Sequence, residues 1–304
     1  MRIVFLGTPD FAVASLKAMV EAGHNIVGVI TAPDKPAGRG MQMQQSPVKK
    51  YAVEKGLFVM QPEKLRDPQF LEMLKNLQAD LQVVIAFRML PEVVWNMPPL
   101  GTINLHASLL PDYRGAAPIN WAIINGETQS GVSTFFLKHE IDTGDILLKD
   151  TCPITATCTA GELHDTLMNL GANTMLKSLE LIISGNTNGT PQAENSGKIA
   201  PKIFKEHCRI SWEQNGQSIL NLIRGMSPYP AAFCVLDGKN MKVYQAEFEA
   251  NNNNSATLGS VQSDHKTFLK FACKDGFIHV LDVQLESKKR MKIEEFLRGY
   301  KLQE

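Results

Sequence analysis

The sequence predicts an α/β domain with a mostly parallel sheet, followed by a small domain built as an antiparallel β-barrel. With 304 residues the chain is long enough for about two domains that each bury a core. The N-terminal strands are apolar throughout rather than alternating, which is typical of a parallel sheet covered on both faces. Beyond Arg209, short segments are separated by pairs such as Asp237-Gly238 and Asp275-Gly276, which indicate hairpin turns.

The first half of the chain alternates strands with helices. The predicted strands are Ile3 to Leu6, Asn25 to Thr31, Leu81 to Phe87, Ile103 to His106 and Asp145 to Lys149, and the predicted helices are Phe11 to Ala22, Phe70 to Leu77 and Ala160 to Ser184. This order favours a Rossmann-like sheet, in which ligands bind beyond the carboxyl ends of the strands. The turn at Gly7-Thr8-Pro9 lacks the second and third glycines of a dinucleotide fingerprint, so we expect no nucleotide cofactor.

The second half predicts an OB-like barrel and a closing helix. Its strands are expected at Ala232 to Leu236, Met241 to Glu247, Thr267 to Ala272 and Phe277 to Leu285, and its helix at Ile293 to Tyr300. A polar stretch after Gly185 indicates a linker. We therefore predict a catalytic domain over 1–188, a linker over 189–205 and a barrel over 206–304.

The composition limits which partners the protein can bind and indicates the compartment in which it works. Lys plus Arg equals Asp plus Glu, 31 each, so a polyanion could be held only by local basic patches. The five cysteines form neither zinc-ligand pairs nor a disulfide framework, which favours a reduced cytoplasmic location and no metal. We expect neither a signal peptide nor a spanning segment, because no run approaches about 20 apolar residues. No coiled coil demands a dimer, so we expect a monomer.

A candidate site lies at the end of the strand Ile103 to His106. Residues two apart in a strand share a face, so Asn104 and His106 project together, while Ile103 and Leu105 point into a core. Each polar residue alone is more simply explained as a strand cap or a satisfied core histidine. Downstream, Asp142 stands in a turn that could fold back onto the imidazole. Together the three side chains predict a catalytic site.

The chemistry predicted for this site is acyl transfer by direct attack. No Ser or Cys is spaced for a nucleophilic triad, so a substrate amine or water is expected to attack. The Asn104 amide would donate to the acyl oxygen, and His106 would stabilise the oxyanion or shuttle a proton. Asp142 would orient the imidazole and help to deprotonate the amine.

Two further features indicate binding surfaces. The loop from Ser108 to Pro118 holds Tyr113 and Arg114 between prolines, which suits a planar heterocycle or a carboxylated ligand, although an ordinary loop would also fit. The stretch from Asp34 to Lys50 holds four basic residues against one acid and is interpreted as a flexible arm that grips a polyanion, a solvated insertion being the alternative. Basic residues in the linker and at Lys288 to Lys292 add to the same prediction.

These motifs resemble the 10-formyltetrahydrofolate-dependent formyltransferases nearly end to end. The resemblance is carried by Phe5 to Ala12, Asn104 to Pro111, Tyr113 to Pro118, Asp142 to Asp145, Ile223 to Pro228 and Lys288 to Met291. It implies that Asn104, His106 and Asp142 are catalytic and that 10-formyltetrahydrofolate is the co-substrate. The folate would lie against Ser108, Leu109, Leu110 and Pro111.

The insertion and the basic barrel narrow the resemblance to members that formylate methionyl-tRNA for translation initiation. The residues then expected to contact initiator methionyl-tRNA are Lys35, Arg39, Lys49, Lys50, Lys202, Lys288, Lys289 and Arg290. One departure is Phe87-Arg88, where the family commonly has a Tyr-Gly step. Arg88 is expected near the pterin pocket, where it would pair with the ligand's polar edge.

Three alternatives share parts of this pattern. A sugar-nucleotide amine N-formyltransferase has the same catalytic residues but less use for a basic insertion and barrel. A formyltetrahydrofolate hydrolase usually carries a regulatory domain before the catalytic one, whereas here the catalytic unit is expected to begin at Met1. A catalytically dead binding module would have no reason to keep Asn104, His106 and Asp142 together.

Overall fold

The computed structural model describes residues 1–37, 42–194, 197–251 and 255–302. The chain divides into two compact units. The first unit comprises 1–115, 131–152 and 164–199, and the second unit comprises 116–130, 153–163 and 200–304. The predicted domain limits at 188 and 206 stay a prediction.

Residues 1–199 alternate strands with helices, as predicted. The strands are β1 (Arg2–Gly7), β2 (Asn25–Ile30), β3 (Lys35–Ala37), β4 (Gln42–Gln44), β5 (Val59–Met60), β6 (Leu81–Ile85), β7 (Thr102–His106), β8 (Arg114–Gly115), β9 (Gln129–Phe136) and β10 (Ile146–Pro153). The helices are α1 (Asp10–Glu21), α2 (Pro47–Glu54), α3 (Pro68–Asn76), α4 (Glu92–Trp95), α5 (Pro118–Ile124) and α6 (Ala160–Ile183).

The first unit is built on a seven-stranded sheet with the order β10-β9-β7-β6-β1-β2-β5. Strands β7, β6, β1, β2 and β5 run parallel to one another, while β9 pairs with β7 antiparallel. Four successive residues of β1, Ile3 to Leu6, are all 0% exposed, which requires cover on both faces of the sheet. The predicted mostly parallel Rossmann-like sheet is thus confirmed.

Strand β9 was not predicted, although it lies beside the site strand β7. Its sequence, QSGVSTFF, is polar in the middle and lacks an apolar run. Ser133 and Thr134 are nevertheless 0% exposed, because their hydroxyls are satisfied inside the protein. Ser133 donates to the Ser108 carbonyl at 2.7 Å, and Thr134 pairs with Ser178 of α6 at 2.7 Å. Tertiary hydrogen bonds therefore allow a strand that hydrophobicity does not reveal.

The described part of the predicted arm is regular structure. Strands β3 and β4 pair antiparallel, and α2 begins after Ser46, whose hydroxyl accepts from the Lys49 amide at 3.0 Å. Asp34 is held by the Lys49 ammonium at 2.5 Å and by the Gln61 amide at 2.8 Å. These two hydrogen bonds lower the pKa of Asp34. Arg39, an expected tRNA contact, lies outside the described residues.

The second unit contains an antiparallel sheet, helix α5 and two further α-helices. From Ile199 onward the strands are β11 (Ile199–Ala200), β12 (Ala232–Leu236), β13 (Lys239–Ala250), β14 (Val261–Ser263), β15 (Leu269–Cys273), β16 (Gly276–Leu285) and β17 (Met291–Lys292), and the helices are α7 (Gly216–Met226) and α8 (Ile293–Gly299). The sheet order is β12-β13-β16-β15-β14, with β17 on β16. This antiparallel architecture confirms the predicted second fold.

Strand β13 bends this sheet around its core. Its register to β16 shifts near Gln245, and such irregularities increase the local twist of a strand. The core beneath includes Val243, Phe271 and Val283, all 0–1% exposed, and Trp212 stacks on Phe271 with ring centroids 4.6 Å apart. Within the described residues, no helix is both long enough and apolar enough to cross a membrane.

Candidate active site

The site begins where β7 ends at His106. Asn104 pairs with Val84 of β6 and with Phe135 of β9, so both sides of the strand backbone are fixed. Leu105 points the opposite way and packs on α6, where a Cβ on Gly171 would lie 2.6 Å from the Leu105 side chain. Asn104 and His106 therefore share the face away from α6, as the alternation predicted. No other described residue hydrogen-bonds to the half-buried Asn104 side chain, which leaves its amide for a ligand.

The His106 ring is oriented by a backbone carbonyl. Its Nε2 lies 2.8 Å from the carbonyl oxygen of Tyr113, and the side chain is 8% exposed. Because a carbonyl oxygen only accepts, Nε2 carries the proton in this contact. The tautomer expected to depend on Asp142 is thus set by Tyr113, and in the neutral ring Nδ1 is the atom that can take up a proton.

The Asp142 carboxylate lies near this ring but bonds elsewhere. Its Oδ2 is 3.7 Å from His106 Nδ1, which is an ion-pair distance when the ring is protonated but too long for a hydrogen bond. The same oxygen accepts from the Gly115 amide at 3.0 Å. The backbone at Asp142 has φ 55°, in the left-handed region that Asp tolerates better than most residues. The predicted approach of Asp142 to His106 is present in the structure.

Gln192 completes the turn that carries Asp142, and no local sequence pattern indicates this role. The residue lies in the polar stretch predicted as a linker. Its Nε2 donates to the carbonyls of Asp142 and Gly144, both at 2.8 Å. Its Oε1 accepts from the Arg114 guanidinium, at 3.1 Å from Nε and 2.6 Å from Nη2.

The Ser108 to Pro111 segment forms a fixed wall beside His106. The Ser108 hydroxyl donates to the Asp112 carbonyl at 2.7 Å, and the Leu110 amide donates to the Ser133 hydroxyl at 3.1 Å. Lys149 of β10 donates to the Leu110 carbonyl. Ser108 and Leu110 are 1% and 0% exposed, whereas Leu109 and Pro111 are partly exposed. A ligand against this wall would therefore meet Leu109 and Pro111.

Arg88 follows β6 and is held by the chain itself. Its guanidinium donates to the Glu63 carbonyl at 2.8 Å and to the Pro62 carbonyl. The side chain is exposed and lies over the Phe87 ring, with Cζ 5.7 Å from the ring centroid. A ligand would have to share or displace these contacts to pair with Arg88.

The predicted basic residues fall into two groups. Lys35, Lys50, Lys202, Lys288 and Lys289 are exposed. Lys49 and Arg290 form ion pairs with Asp34 and Asp282, although the Arg290 side chain is also 47% exposed. Among the described His, Cys, Asp and Glu residues, no group of three is arranged to hold a metal ion.

Comparison with known proteins assigns these features to a family. The model of the formyl transferase family matches residues 1–179, and the model of the formyl transferase C-terminal domain matches residues 202–301. This chain belongs to the formyl transferase family. The two matched ranges contain Asn104, His106 and Asp142 in the first and Lys288 to Arg290 in the second.

Curated relatives are similar over the whole chain. A methionyl-tRNA formyltransferase of Parabacteroides distasonis is 55% identical and covers 99% of this chain and 96% of its own length. Proteins of the same name from Bacteroides fragilis and Flavobacterium johnsoniae are 52% and 51% identical, each over at least 98% of this chain and 96% of their own.

Solved structures share the fold at lower identity. An N-formyltransferase of Helicobacter canadensis, in complex with folinic acid and dTDP-3-aminofucose, is 20% identical with a TM-score of 0.67, covering 91% of this chain and 98% of its own. HypX of Aquifex aeolicus in complex with tetrahydrofolic acid is 20% identical with a TM-score of 0.66, and this chain spans 48% of its length. At this identity the likeness extends to the fold alone.

Proposed function

We propose that this protein transfers the formyl group of 10-formyltetrahydrofolate to the amino group of methionyl-initiator tRNA. The observation that carries the proposal is the 55% identity to a curated methionyl-tRNA formyltransferase over 99% of the chain. The arrangement of the Asn104 amide, the His106 imidazole and the Asp142 carboxylate around one strand end supports the same chemistry.

The reaction needs one attack and two proton movements. The methionyl amine attacks the formyl carbon, and the Asn104 amide donates to the oxygen that becomes negative. Nδ1 of His106, once protonated, stabilises the same oxyanion, since Nε2–H is occupied by the Tyr113 carbonyl at 2.8 Å. The Asp142 carboxylate, 3.7 Å from Nδ1, stabilises that imidazolium and accepts the amine proton. The carbon–nitrogen bond to the folate then breaks as its nitrogen receives the proton that Asp142 took from the amine, so tetrahydrofolate leaves protonated and Asp142 is again a carboxylate.

The folate side of the proposal rests on the wall from Ser108 to Pro111. Hydrogen bonds to Ser133 and Lys149 hold this segment, so binding a folate would cost little further ordering of the chain. Leu109 and Pro111 offer the partly exposed apolar surface. Arg88 would contact the polar edge of the pterin only after giving up the Pro62 or Glu63 carbonyl.

The tRNA side rests on exposed cations and on aromatic surface in the second unit. A pocket of about 800 Å³ there is lined by Phe204, Lys205, Tyr229, Phe233 and Lys242 among others. Tyr229 is 82% exposed and Phe204 is 54% exposed, so both rings offer apolar surface to a ligand. Aromatic faces beside lysines suit unpaired bases and the phosphates that join them. We propose Lys35, Arg39, Lys50, Lys202, Lys288 and Lys289 as phosphate contacts, and Lys49 and Arg290 as residues that brace them.

A competition between acceptors tests this function. Purified protein is given 10-formyltetrahydrofolate with equal concentrations of methionyl-tRNA and an amino-sugar nucleotide, and both products are quantified. We expect formylation of the tRNA alone. Formylation of the sugar alone would establish the sugar-nucleotide alternative, and release of formate without an acceptor would establish the hydrolase. His106→Ala serves as the control, with transfer reduced by roughly 10²–10³-fold.

Salt dependence tests the tRNA surface separately. The Michaelis constant for tRNA should rise steeply with ionic strength, whereas that for the folate should change little, because many phosphates but few folate charges are contacted. Tyr229→Ala should raise the constant for tRNA more than Tyr229→Phe, which keeps the ring. Equal salt sensitivity of both substrates would contradict a separate tRNA surface.

We further propose that the protein acts as a cytoplasmic monomer. Its proposed acceptor belongs to translation, and the expected reduced state of its cysteines fits that compartment. The proposed division of labour assigns formyl chemistry to residues 1–188, a linker to 189–205 and tRNA binding to 206–304. Size-exclusion chromatography with light scattering checks the oligomeric state.

A further inference from the structure

Gln192 is turned towards the site from an otherwise exposed stretch. Its neighbours Pro191, Ala193 and Glu194 are exposed, whereas Gln192 is half-buried. Its side chain reaches the backbone of the Asp142 turn, 50 residues earlier in the chain. A solvated linker has no need for such a contact, so the side chain requires a specific explanation.

Both the nitrogen and the oxygen of the Gln192 side-chain amide form hydrogen bonds. Its nitrogen donates to the Asp142 and Gly144 carbonyls at 2.8 Å each, and its oxygen accepts two hydrogen bonds from the Arg114 guanidinium. An amide is the side-chain group that supplies two donors and an acceptor oxygen in one plane. Glutamate would keep the acceptor but lose both donors, and methionine would keep only the volume.

Together with a hydrogen bond from Gly115, these hydrogen bonds surround the Asp142 turn. Arg114 precedes Gly115 in the chain, and the Gly115 amide donates to Asp142 Oδ2 at 3.0 Å. The turn is thus held through its backbone by Gln192 and through its carboxylate by Gly115. Gly144 packs so closely that a Cβ there would lie 1.6 Å from the Phe136 carbonyl oxygen, which fixes the other side of the turn. The left-handed backbone at Asp142 is therefore held on each side.

We infer that Gln192, held by Arg114, is a positioning residue for formyl transfer that keeps the Asp142 carboxylate beside His106. The inference rests on the proposed function and adds a residue that acts through Asp142 rather than on the substrate. It places part of the working site in the stretch predicted as a linker. The chemical step depends on the placement of Asp142, so loss of the Gln192 hydrogen bonds should act on kcat rather than on substrate binding.

The first test compares Gln192→Met and Gln192→Glu with the wild type. Misplacing a reacting group by about 1 Å costs about 10² in rate, so we expect kcat to fall about 10²-fold in both variants, with the Michaelis constants changed less than about threefold. Gln129→Met makes the same chemical change at an exposed residue of β9 and should keep wild-type kcat. A proportional rise in both Michaelis constants with unchanged kcat would overturn the inference.

The second test does not depend on activity. Amide hydrogen exchange at Gly115 reports its hydrogen bond to Asp142, and we expect at least tenfold faster exchange in Gln192→Met at an unchanged melting temperature. Exchange at Gly115 as slow as in the wild type would show that Gln192 does not hold the carboxylate. If the wild type forms no formyl-methionyl-tRNA, the proposed function fails, while the exchange experiment still decides whether Gln192 positions Asp142.

Discussion

Arg290 belongs to the basic run Lys288 to Arg290, yet its substitution should destabilise the protein rather than weaken tRNA binding directly. Its Nε and Nη2 donate to the two carboxylate oxygens of Asp282, at 2.8 and 3.0 Å. Its Cζ also lies 4.1 Å from the centroid of the Tyr244 ring. Asp282 is 7% exposed, so removing Arg290 leaves a buried carboxylate with Lys292, 3.3 Å away, as its other described cation.

The size of the effect follows from the burial of the pair. Removing one partner of a fully buried pair costs about 3–5 kcal/mol, whereas an exposed pair contributes about 0–1 kcal/mol. The Arg290 side chain is 47% exposed and that of Asp282 is 10% exposed, which is intermediate. We expect Arg290→Leu to lower the free energy of unfolding of the second unit by about 2 kcal/mol. Substitution of the exposed Lys289 by Leu should lower the free energy of unfolding by about 0.5 kcal/mol or less.

Urea denaturation followed by tryptophan fluorescence measures this difference. The chain has three tryptophans, and in a Trp95→Phe background the remaining Trp121 and Trp212 both lie in the second unit. Arg290→Leu should lower the urea midpoint, and Lys289→Leu should instead raise the Michaelis constant for tRNA. Equal destabilisation by the two substitutions, or an unchanged midpoint for Arg290→Leu, would refute the reasoning.

Three further predictions concern single residues. Gly144→Ala should lower kcat about 10²-fold, because its Cβ would lie 1.6 Å from the Phe136 carbonyl and force the Asp142 turn to move; Gly299→Ala, whose Cβ would meet nothing within 4 Å, is the matched control. Burial would raise the pKa of Asp282, but hydrogen bonds from Arg290 and Lys292 overcome it and hold the pKa low. The ion pairs of Asp282 therefore stabilise the fold above the unfolded pKa of about 3.9, and this stability is lost as pH falls towards the lower folded pKa. The urea midpoints of the wild type and Arg290→Leu, measured from pH 5 to pH 2, should therefore converge. Burial raises the pKa of the Cys234 thiol to about 12, so native protein at pH 8 should resist iodoacetamide at Cys234 until urea unfolds it, and rapid labelling in the native state would contradict this burial.

Sequence patterns predicted the site strand well because its signal is local. Apolar Ile103 and Leu105 alternate with Asn104 and His106, and the observed β7 has the predicted two faces. The turn at Asp142 could also be predicted, since Asp142 is followed two residues later by Gly144, and both residue types favour turns. Strand β9 and Gln192 were not, because Ser133, Thr134 and Gln192 are polar residues whose burial depends on partners distant in the chain.

The sequence alone predicted the fold class and proposed Asn104, His106 and Asp142 as a catalytic trio, because hydrophobic periodicity and motif spacing are properties of neighbouring residues. Tertiary structure decided how that trio is held. The carbonyl of Tyr113 sets the His106 tautomer, and Gln192 holds the Asp142 turn. Arg290 stabilises the second unit through its hydrogen bonds to Asp282. Each of these roles depends on a hydrogen bond between residues that only folding brings within about 3 Å.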